Sequence, residues 1–341
     1  MTADARPAGS RPLSADDLAG ADLAGAEMAG AEMAGQMRRA AVAVLAALTG
    51  EQRAQACLPF ADDAARRWLE YRPEPRPGAC LAGLSVPGRK AAHRLLATGL
   101  SDHAFAQALT ITALEEVLDR REQGALDRHS GNYFVAVFGD PEGDAPWSWR
   151  FEGHHVSVTM TVAGDEVSPA PVFLGANPAA VTYAGRPVSR PLAPEEDLAR
   201  ALLDALDPGD RVAAVVAGEP PFDIRSSTRP RAAAIEPAGV GSAGLGPSAR
   251  AALGQLVALY LDRLPPVLAA REAARAAAGE LTFAWEGPVT PGLGHYYRVQ
   301  GDDLLIEYHS AGGNHAHAVL RRPASDFGDD VLAAHLREAH A

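Results

Sequence analysis

Residues 131–162 read GNYFVAVFGDPEGDAPWSWRFEGHHVSVTMTV, and this stretch decides the fold class. Its segments NYFVAVFG and HHVSVTMTV are rich in β-branched and aromatic residues, and apolar residues alternate with polar ones most clearly in the second. The polar residues 140–147 between them contain Gly143 and Pro146, which suit a hairpin connection. Residues 167–174 predict a third strand. Consecutive strands without intervening helices indicate a β-meander rather than a doubly wound sheet.

Helical patterns flank this meander on both sides. The spacing of apolar residues predicts helices on the N-terminal side from Gln36 to a break at Thr49–Gly50, then over 89–97 and 101–121. On the C-terminal side it predicts helices over 194–206, 248–261 and 267–278, strands over 281–285, 296–300, 304–308 and 315–320, and a terminal helix. We therefore expect an α+β fold with an N-terminal helical region, an antiparallel sheet assembled from central and C-terminal strands, and helices packed against it.

The chain begins with a short repeat. Residues 17–35 read DLAGADLAGAEMAGAEMAG, a five-residue period. In a helix, five residues turn each Leu or Met by about 140°, so these side chains would share no face. The units resemble pentapeptide repeats, but four of them make roughly one coil, which is too little to bury a core. Residues 1–37 are therefore predicted to be a flexible or partly helical leader, and residues 38–341 a single α+β domain.

Composition excludes several classes of protein. The formal net charge is −12 and no long Lys/Arg run is present, so a nucleic-acid partner is not expected. The N-terminus lacks a charged segment followed by an apolar one, and the apolar residues 40–48 are too few to cross a bilayer. We expect no signal peptide, no membrane span and a cytoplasmic location. The two cysteines, Cys57 and Cys80, fit neither a disulfide framework nor a zinc-ribbon spacing.

Familiar catalytic motifs are missing from the sequence. It contains no G-x-G-x-x-G and no P-loop, which argues against a nucleotide cofactor. It also contains no G-x-S-x-G elbow, and neither cysteine lies in a recognisable catalytic context, so a Ser or Cys nucleophile is not supported.

Two histidine motifs, Gly-His-His at 153–155 and Asn-His-Ala-His at 314–317, carry the clearest chemical signal. On a strand, residues two apart point to the same face, so His315 and His317 can present two imidazoles to one divalent ion such as zinc, iron or copper. His154 and His155 are adjacent and would face opposite sides of a strand, so only one is expected to join the pair. The apolar face that continues from His154 favours His154, although a bulge would favour His155.

Other polar residues are candidates for the same site. Glu307 lies on the apolar segment LLIEYH, where a carboxylate must be paired, bind a metal or face water. Glu307 or Glu152 could act as a fourth ligand or a general base. His295 and Arg298 lie on the neighbouring hairpin and could orient a substrate, while Arg298 could equally be the structural partner of Glu307.

Several segments resemble one bacterial family. PWSWRFEGHHVSVTMTV, VFLGANPAAV, EEDLARALLDALD, HYYRVQGDDLLIEY and NHAHAVLRRPASDFGDD occur in the order found in the family called domain of unknown function 3500. The resemblance runs from about Arg38 to the C-terminus, and the family motifs W-R-F-E-G-H-H and N-H-x-H-S fall at 149–155 and 314–318. The resemblance implies no known activity, but paired histidines in two distant segments imply a shared site.

The chain departs from the family pattern at two places. Where the family has Asp-Asn-Thr-Gln-Asn after Glu-Tyr, this chain has HSAGG at 309–313, and where the family has Ser-Val-Trp-Arg it has AVLR at 318–321. His309 could therefore serve as an additional ligand, or this member could act on a different substrate.

The sequence supports three functional hypotheses. The first is a metal-dependent enzyme that acts on a small molecule, with hydrolysis favoured because Glu152 and Glu307 offer a base beside the metal; an iron- or copper-dependent oxidoreductase or oxygenase is the alternative chemistry. The second is a metal-binding or small-molecule-binding protein without turnover. In the third, the histidines only stabilise the β layer through hydrogen bonds.

Overall fold

A computed structural model of the chain describes residues 23–126, 128–312 and 314–339. The fold is α+β, as the sequence predicts, with ten helices among the described residues. These are α1 (Leu23–Ala46), α2 (Gly50–Ala56), α3 (Asp63–Arg66), α4 (Val86–Gly99), α5 (Asp102–Glu122), α6 (Ala193–Ala205), α7 (Pro208–Ala214), α8 (Pro247–Leu261), α9 (Pro266–Ala277) and α10 (Asp329–Ala339). In the part of the chain described, no helix is long and apolar enough to cross a membrane.

The strands form one large sheet and one separate hairpin. They are β1 (Cys57–Leu58), β2 (Ala79–Cys80), β3 (Tyr133–Phe138), β4 (Trp147–Gly153), β5 (Val156–Ala163), β6 (Glu166–Ser168), β7 (Val172–Ala176), β8 (Val181–Tyr183), β9 (Arg186–Ser189), β10 (Val215–Ala217), β11 (Val240–Gly241), β12 (Thr282–Glu286), β13 (His295–Gly301), β14 (Leu304–Ser310) and β15 (Ala316–Arg321). The large sheet has the order β1-β3-β4-β5-β7-β15-β14-β13-β12-β10, and β8 pairs only with β9.

The large sheet is mixed, so the prediction of a purely antiparallel sheet is wrong. The pairs β1–β3 and β10–β12 are parallel, whereas the central strands pair antiparallel. The chain between β1 and β3 passes through α4 and α5, and the chain between β10 and β12 passes through α8 and α9. Such helical crossovers return the chain to the starting end of the sheet, which makes the paired strands parallel.

The histidine pair of the first motif lies in a turn. The sequence predicts a connection over 140–147 and a strand from His154 onward, but β4 occupies Trp147–Gly153 and β5 begins at Val156. The segment WSWRFE alternates apolar and polar residues with period two, which is the pattern typical of the strand that forms there. His154 and His155 are therefore the two residues of the β4–β5 turn, and the rule of alternating faces does not apply to them.

The first helix starts earlier than the predicted domain boundary. Helix α1 begins at Leu23, so the second half of the five-residue repeat is helical and continuous with the domain, and Met33 and Met37 are buried in the core. Residues 1–22, which hold the rest of the repeat, lie outside the described part of the chain.

The two faces of the large sheet differ in chemistry. One face is apolar, with side chains such as Trp149, Val158, Leu320 and Trp285 packed against the helices in one continuous core. The opposite face carries polar side chains, among them Arg150, Glu152, Glu307 and Arg298, which are nevertheless buried. The two long loops that follow β1 and β10 cover this face. Their buried residues Leu69, Tyr71 and Ile224 form one cluster with Phe173 of β7, Val319 of β15 and Phe327 after β15.

The two halves of the sheet repeat one another at a constant offset. Val137 pairs with Trp149 in β3–β4, and adding 148 to each number gives the pair Trp285–Tyr297 in β12–β13. The same offset carries the β5–β7 pair 158–172 onto the β14–β15 pair 306–320. The two halves share one order of elements: a short helix, a short parallel strand, a long loop, two helices and four neighbouring strands of the sheet. The first half has β6 in addition, which pairs only with β5. The domain is therefore an internal duplication.

The halves meet along β7 and β15. Val172 pairs with Leu320 there, and these two residues are themselves equivalent under the offset of 148. An approximate two-fold axis therefore passes through this pair, and the two long loops meet above it. Each half contributes one long loop and one strand of the central pair, β7 or β15, to the region where the histidines lie.

Candidate histidine metal centre

The second histidine motif and the β4–β5 turn meet at one end of the sheet. Strand pairing aligns His309 with His317 and His317 with Gly175. The carbonyl of His155 accepts a hydrogen bond from the Gly175 amide at 2.7 Å, and its own amide donates to the Tyr71 carbonyl at 3.0 Å. These backbone contacts bring the turn of the first half against the strands of the centre, so residues 160 positions apart become neighbours.

His155, His315 and His317 form one of three clusters of possible ligands among the described residues, and the one made of imidazoles alone. One nitrogen of each ring lies within 4.8 Å of the others. The Nε2 atoms of His155 and His315 are 2.8 Å apart, a separation that requires a proton or a cation between two lone pairs. His315 lies just before β15 and is only half-buried, whereas His155 and His317 are buried. The cluster therefore opens to solvent on the side of His315.

The backbone at His155 has an unusual conformation. Its φ of 65° lies in the left-handed region, which a branched or bulky side chain seldom adopts. This conformation brings the imidazole to His315 and His317. The sequence favours His154 as the partner of His315 and His317, but the structure brings His155 to them instead. The reason is that both residues lie in a turn, where side chains do not alternate between two faces as they do on a strand.

Gly175 leaves room for two of the rings. A Cβ atom at this position would lie 2.7 Å from Cδ2 of His155 and 3.0 Å from Cδ2 of His317. Both separations are below ordinary carbon–carbon contact, so any larger residue would displace the imidazoles. The glycine in VFLGA is therefore part of the site, although it contributes no ligand.

Asp223 fixes the orientation of His317. Nδ1 of His317 lies 2.6 Å from Oδ1 of Asp223, and the Tyr71 hydroxyl donates to Oδ2 at 2.9 Å. A carboxylate only accepts, so Nδ1 of His317 carries the hydrogen and Nε2 keeps its lone pair. Nε2 of His317 is buried and has no hydrogen-bond partner among the described residues. A carboxylate that orients an imidazole with a free nitrogen is the usual outer contact of a metal-binding histidine.

The local electrostatics favour the neutral forms of His155 and His315. Burial, followed by the neighbouring histidines, lowers the pKa of His155 well below its ordinary value. Burial, followed by the electrostatic effect of His317, lowers the pKa of His315 to about 3. Burial by itself raises the pKa of Asp223, but the contacts with His317, the Ile224 amide and Tyr71 together outweigh it, and the net pKa is lowered. Neutral imidazoles at His155 and His315 beside an ionised carboxylate suit a cation, because the ring nitrogen that binds an ion must be unprotonated.

His154 belongs to a second, adjoining group. Its Nδ1 lies 2.6 Å from Oε1 of Glu115 and 3.0 Å from a guanidinium nitrogen of Arg128, and its ring stacks on His155 with centroids 3.7 Å apart. The Tyr133 hydroxyl donates to the His154 carbonyl at 2.7 Å and so fixes the turn. His154 supports His155 by this ring contact, and its partner Glu115 comes from the buried face of α5.

Glu152 and Glu307 lie in separate polar networks. Glu152 accepts hydrogen bonds from the Glu70 amide at 3.1 Å and the Ser157 hydroxyl at 2.7 Å. Glu307 accepts from the Arg225 amide at 2.6 Å and the Tyr296 hydroxyl at 2.9 Å. Neither belongs to a cluster of ligand atoms with the histidines in the described part of the chain. Both carboxylates anchor the long loops to the polar face of the sheet.

His295 and Arg298 are also held in place by other residues. His295 stacks on Trp285 with centroids 4.6 Å apart, and Arg298 forms a buried ion pair with Glu286 at 2.6 Å. Arg298 lies opposite Glu307 in the strand register, but its ion-pair partner is Glu286, so the expected pairing with Glu307 is replaced. These contacts place both residues in the packing of β12–β13.

His309, at the position where the chain departs from the family pattern, anchors a loop. Its Nε2 donates to the Pro221 carbonyl at 3.0 Å, and its Nδ1 is 4.0 Å from Oδ1 of Asp223. His309 thus holds the segment that carries Asp223. It forms a ligand-type group with Asp223 and His317, but that group does not include His155 or His315.

Sequence reasoning missed Asp223, Tyr71 and Glu115. Tyr71 and Asp223 lie in Pro-rich loops without periodicity, and Glu115 is one of many acidic residues on a helix. The single usable signal was FDI at 222–224, where an acid is flanked by apolar residues within a loop. These three residues contribute through tertiary contacts, which no local pattern encodes. Asp223, for example, contacts His317, which lies 94 positions away in the sequence.

The duplication supplies an internal comparison for the site. The offset of 148 maps His155 onto Asp303 in the β13–β14 turn. Asp303 accepts hydrogen bonds from Arg322 at 3.0 Å, from the Ala324 amide at 2.8 Å and from the Ser325 hydroxyl. At the Asp303 end of the domain, the hydrogen-bonding capacity of the turn residue is therefore satisfied by donors of the protein itself. At the histidine end the equivalent turn residue, His155, instead contacts another imidazole, that of His315, through its Nε2 atom.

Comparison with known proteins assigns a family without an activity. A family model described as "Protein of unknown function (DUF3500)" matches residues 30–329. No curated protein and no solved structure matches the chain.

Proposed function

Since the chain belongs to the DUF3500 family, whose description names no activity, we propose from its own residues that it is a metal-dependent enzyme acting on a small molecule. A divalent ion would be held by His155, His315 and His317. Asp223 would support the ion through His317 without touching it.

One observation carries this proposal. The buried Nε2 of His317 has no partner among the described residues, its tautomer is fixed by Asp223, and a ring nitrogen of His317 lies within 4.8 Å of ring nitrogens of His155 and His315. An unsatisfied buried nitrogen costs about 1–3 kcal/mol. Nε2 of His295 is also buried without a partner, but only His317 combines a free nitrogen with two neighbouring imidazoles among the described residues, and a bound cation would remove the cost there.

The ligand set also favours catalysis over a closed structural site. Three neutral imidazoles leave the charge of the ion uncompensated, and the half-exposed His315 lies on the solvent side. Structural zinc sites are usually closed by four protein ligands, whereas catalytic sites keep one position for water or substrate. In such a site the ion supplies Lewis acidity and lowers the pKa of bound water to about 7, which is the basis for preferring hydrolysis.

The protein residues have separate tasks in this scheme. His155 is held by its backbone bonds and by the stacked ring of His154, while Asp223 holds His317 in one tautomer. Because Glu152 and Glu307 are engaged with the loops, hydrolysis here depends on the ion and its water rather than on either carboxylate as a base. Iron or copper in the same ligand set would support oxidation instead.

Metal content tests the proposal directly. Zinc, iron, copper and cobalt are measured by mass spectrometry in the purified full chain and after incubation with each ion. We expect a single ion per chain in the wild type, loss of it in the variant with both His315→Ala and His317→Ala, and retention in His103→Ala, an exposed histidine outside the cluster. A wild-type chain that takes up none of these ions, or a double variant that still binds, contradicts the proposal.

The identity of the ion and its turnover separate the two chemistries. Zinc-loaded protein is assayed on a panel of esters, amides and lactones, and iron- or copper-loaded protein is assayed for oxygen consumption with the same compounds. Oxygen-dependent turnover with iron or copper, and none with zinc, contradicts hydrolysis but leaves the metal site standing.

A further inference from the structure

Five exposed apolar residues, called the apolar rim below, lie on three loops at the end of the sheet that carries the histidines. Phe222 is 99% exposed, which is extreme for a large aromatic side chain. Four further exposed apolar residues lie on the loops at the same end: Tyr183, Val188, Val289 and Leu293. The hairpin β8–β9 follows β7, residues 218–223 follow β10, and residues 287–294 join β12 to β13. All three segments therefore leave the sheet where His155, His315 and His317 lie.

Phe222 is tied to the histidine site on both sides. Its predecessor, Pro221, accepts the hydrogen bond from His309, and its successor, Asp223, accepts the one from His317. The aromatic residue therefore lies one residue from the carboxylate that orients a ligand. The backbone that carries this exposed ring is therefore held on both sides by contacts with the histidines.

The loop that carries Phe222 is packed closely against its neighbour. A Cβ atom built at Gly287 would lie 3.1 Å from Cδ of Pro220, and Gly287 has a φ of 97°. The amide of Gly287 also donates to the carbonyl of Ala217 at 2.9 Å. Residues 217–223 are thus fixed against residues 287–294, and the rim is built into the fold rather than added by a free loop.

The hairpin is fixed to the second histidine motif in the same way. Asn314, which directly precedes His315, accepts hydrogen bonds from the amides of Ala179 and Ala180 at 2.9 and 2.7 Å. These residues lead into β8, which carries Tyr183, and Tyr183 is 79% exposed. The start of the segment that carries Tyr183 is therefore held by the residue that precedes His315.

We propose that this rim selects substrates with an aromatic or similarly flat apolar group, which stacks on Phe222 while a polar head group reaches the histidines. The inference rests on the proposed metal site, because the head group is taken to bind there. Apolar residues on three separate loops around a polar opening suit a small amphiphilic molecule. Aromatic stacking of this kind is expected to change affinity about tenfold.

Two hydroxamates of different size test the inference. Hydroxamates chelate divalent ions, so the cobalt-loaded full chain is titrated with benzohydroxamate and with acetohydroxamate, and the cobalt absorption spectrum reports binding. We expect the wild type to bind benzohydroxamate about tenfold tighter than acetohydroxamate. Phe222→Ala should reduce this ratio to near unity, and Phe222→Trp should retain it. Val212→Ala, which removes another exposed apolar residue on α7, serves as the matched control.

A second measurement separates this inference from the proposed function. Anilinonaphthalene sulfonate fluoresces when it binds exposed apolar surface, and it is applied to the metal-free wild type, Phe222→Ala and Val212→Ala. Lower fluorescence in Phe222→Ala alone supports the rim even if the chain binds no metal, in which case only the proposed function fails. Equal ratios and equal fluorescence in wild type and Phe222→Ala overturn the inference.

The oligomeric state tests the alternative that Phe222 lies in an interface between two copies of the chain. If Phe222 instead covers a second copy of the chain, light scattering will find a dimeric wild type and a monomeric Phe222→Ala, with no change in the hydroxamate ratio. That result overturns the proposal of a substrate-selecting rim.

Discussion

Replacing Asp223 with Asn tests the part of the site that sequence reasoning did not find. Asp223 accepts hydrogen bonds from His317 at 2.6 Å, from Tyr71 at 2.9 Å and from the Ile224 amide at 2.7 Å. Asn keeps the shape and can still accept from His317, but it removes the negative charge that makes this imidazole a stronger ligand. Loss of such an outer carboxylate typically weakens metal binding about 10- to 100-fold, or about 1.4–2.7 kcal/mol.

The same substitution should affect folding far less. The amide group of Asn can donate to the Tyr71 hydroxyl, so all three hydrogen bonds can persist in altered form. We therefore expect a change of about 1 kcal/mol or less in the free energy of unfolding, measured by urea denaturation of the metal-free chains. Tyr71→Phe removes a contact to Asp223 but keeps its charge, so its effect on metal affinity should be several-fold smaller.

The assay is competitive titration of zinc against a chromophoric chelator, with circular dichroism to show that each variant is folded. A folded Asp223→Asn variant that binds zinc as tightly as the wild type would refute the assignment of Asp223 to the metal site. If Asp223→Asn loses zinc binding and also a large part of its free energy of unfolding, the role of Asp223 is structural. In that case Tyr71→Phe would lose zinc binding to the same extent.

Three further predictions follow from the packing around the site and the sheet. Gly175→Ala places a Cβ atom 2.7 Å from His155, so zinc affinity in the same titration should fall at least about tenfold, whereas Gly164→Ala, with no atom nearby, should leave it unchanged. Glu286→Gln leaves the buried Arg298 without its charged partner, and urea denaturation should show a loss of about 3–5 kcal/mol; a loss below about 1 kcal/mol would contradict the account of the ion pair. Burial raises the pKa of Asp330, but Arg322 outweighs it and the net pKa is lowered, so this carboxylate stabilises the fold above pH of about 4 and the gain disappears as pH falls through its folded pKa. Denaturation series across acidic pH should therefore show a shallower decline for Asp330→Asn, and parallel curves would refute the prediction.

The C-terminal strands were predictable because their patterns are local. LLIEY and the segments beside it are short runs of β-branched and aromatic residues separated by Gly and Asp, and strands β12 to β15 match the predicted ranges to within two residues at their ends. Helices α6, α8 and α9 were likewise found from apolar periodicity and proline at their first turns. These features depend on residues a few positions apart.

The duplication and the histidine site depend on residues that are far apart in the sequence. The two halves keep only fragments such as RFEGHH and RVQGDD in common, so their relation becomes visible only through the strand register. The sequence pattern predicts that His315 and His317 lie together, and the structure has both in one cluster, but the choice between His154 and His155 depends on a single left-handed residue in a turn. Asp223 and Tyr71 lie on loops that are positioned by contacts with the polar face of the sheet. The sequence of neither loop predicts these contacts.

The central claim is that three imidazoles of this chain bind one divalent ion, and X-ray absorption of the zinc-loaded full chain tests it most directly. The account predicts nitrogen or oxygen neighbours at about 2.0–2.1 Å, the multiple-scattering signature of three imidazoles, and its loss in His155→Ala. Sulfur neighbours at about 2.3 Å, or a zinc environment that is the same in His155→Ala and in the wild type, would contradict it.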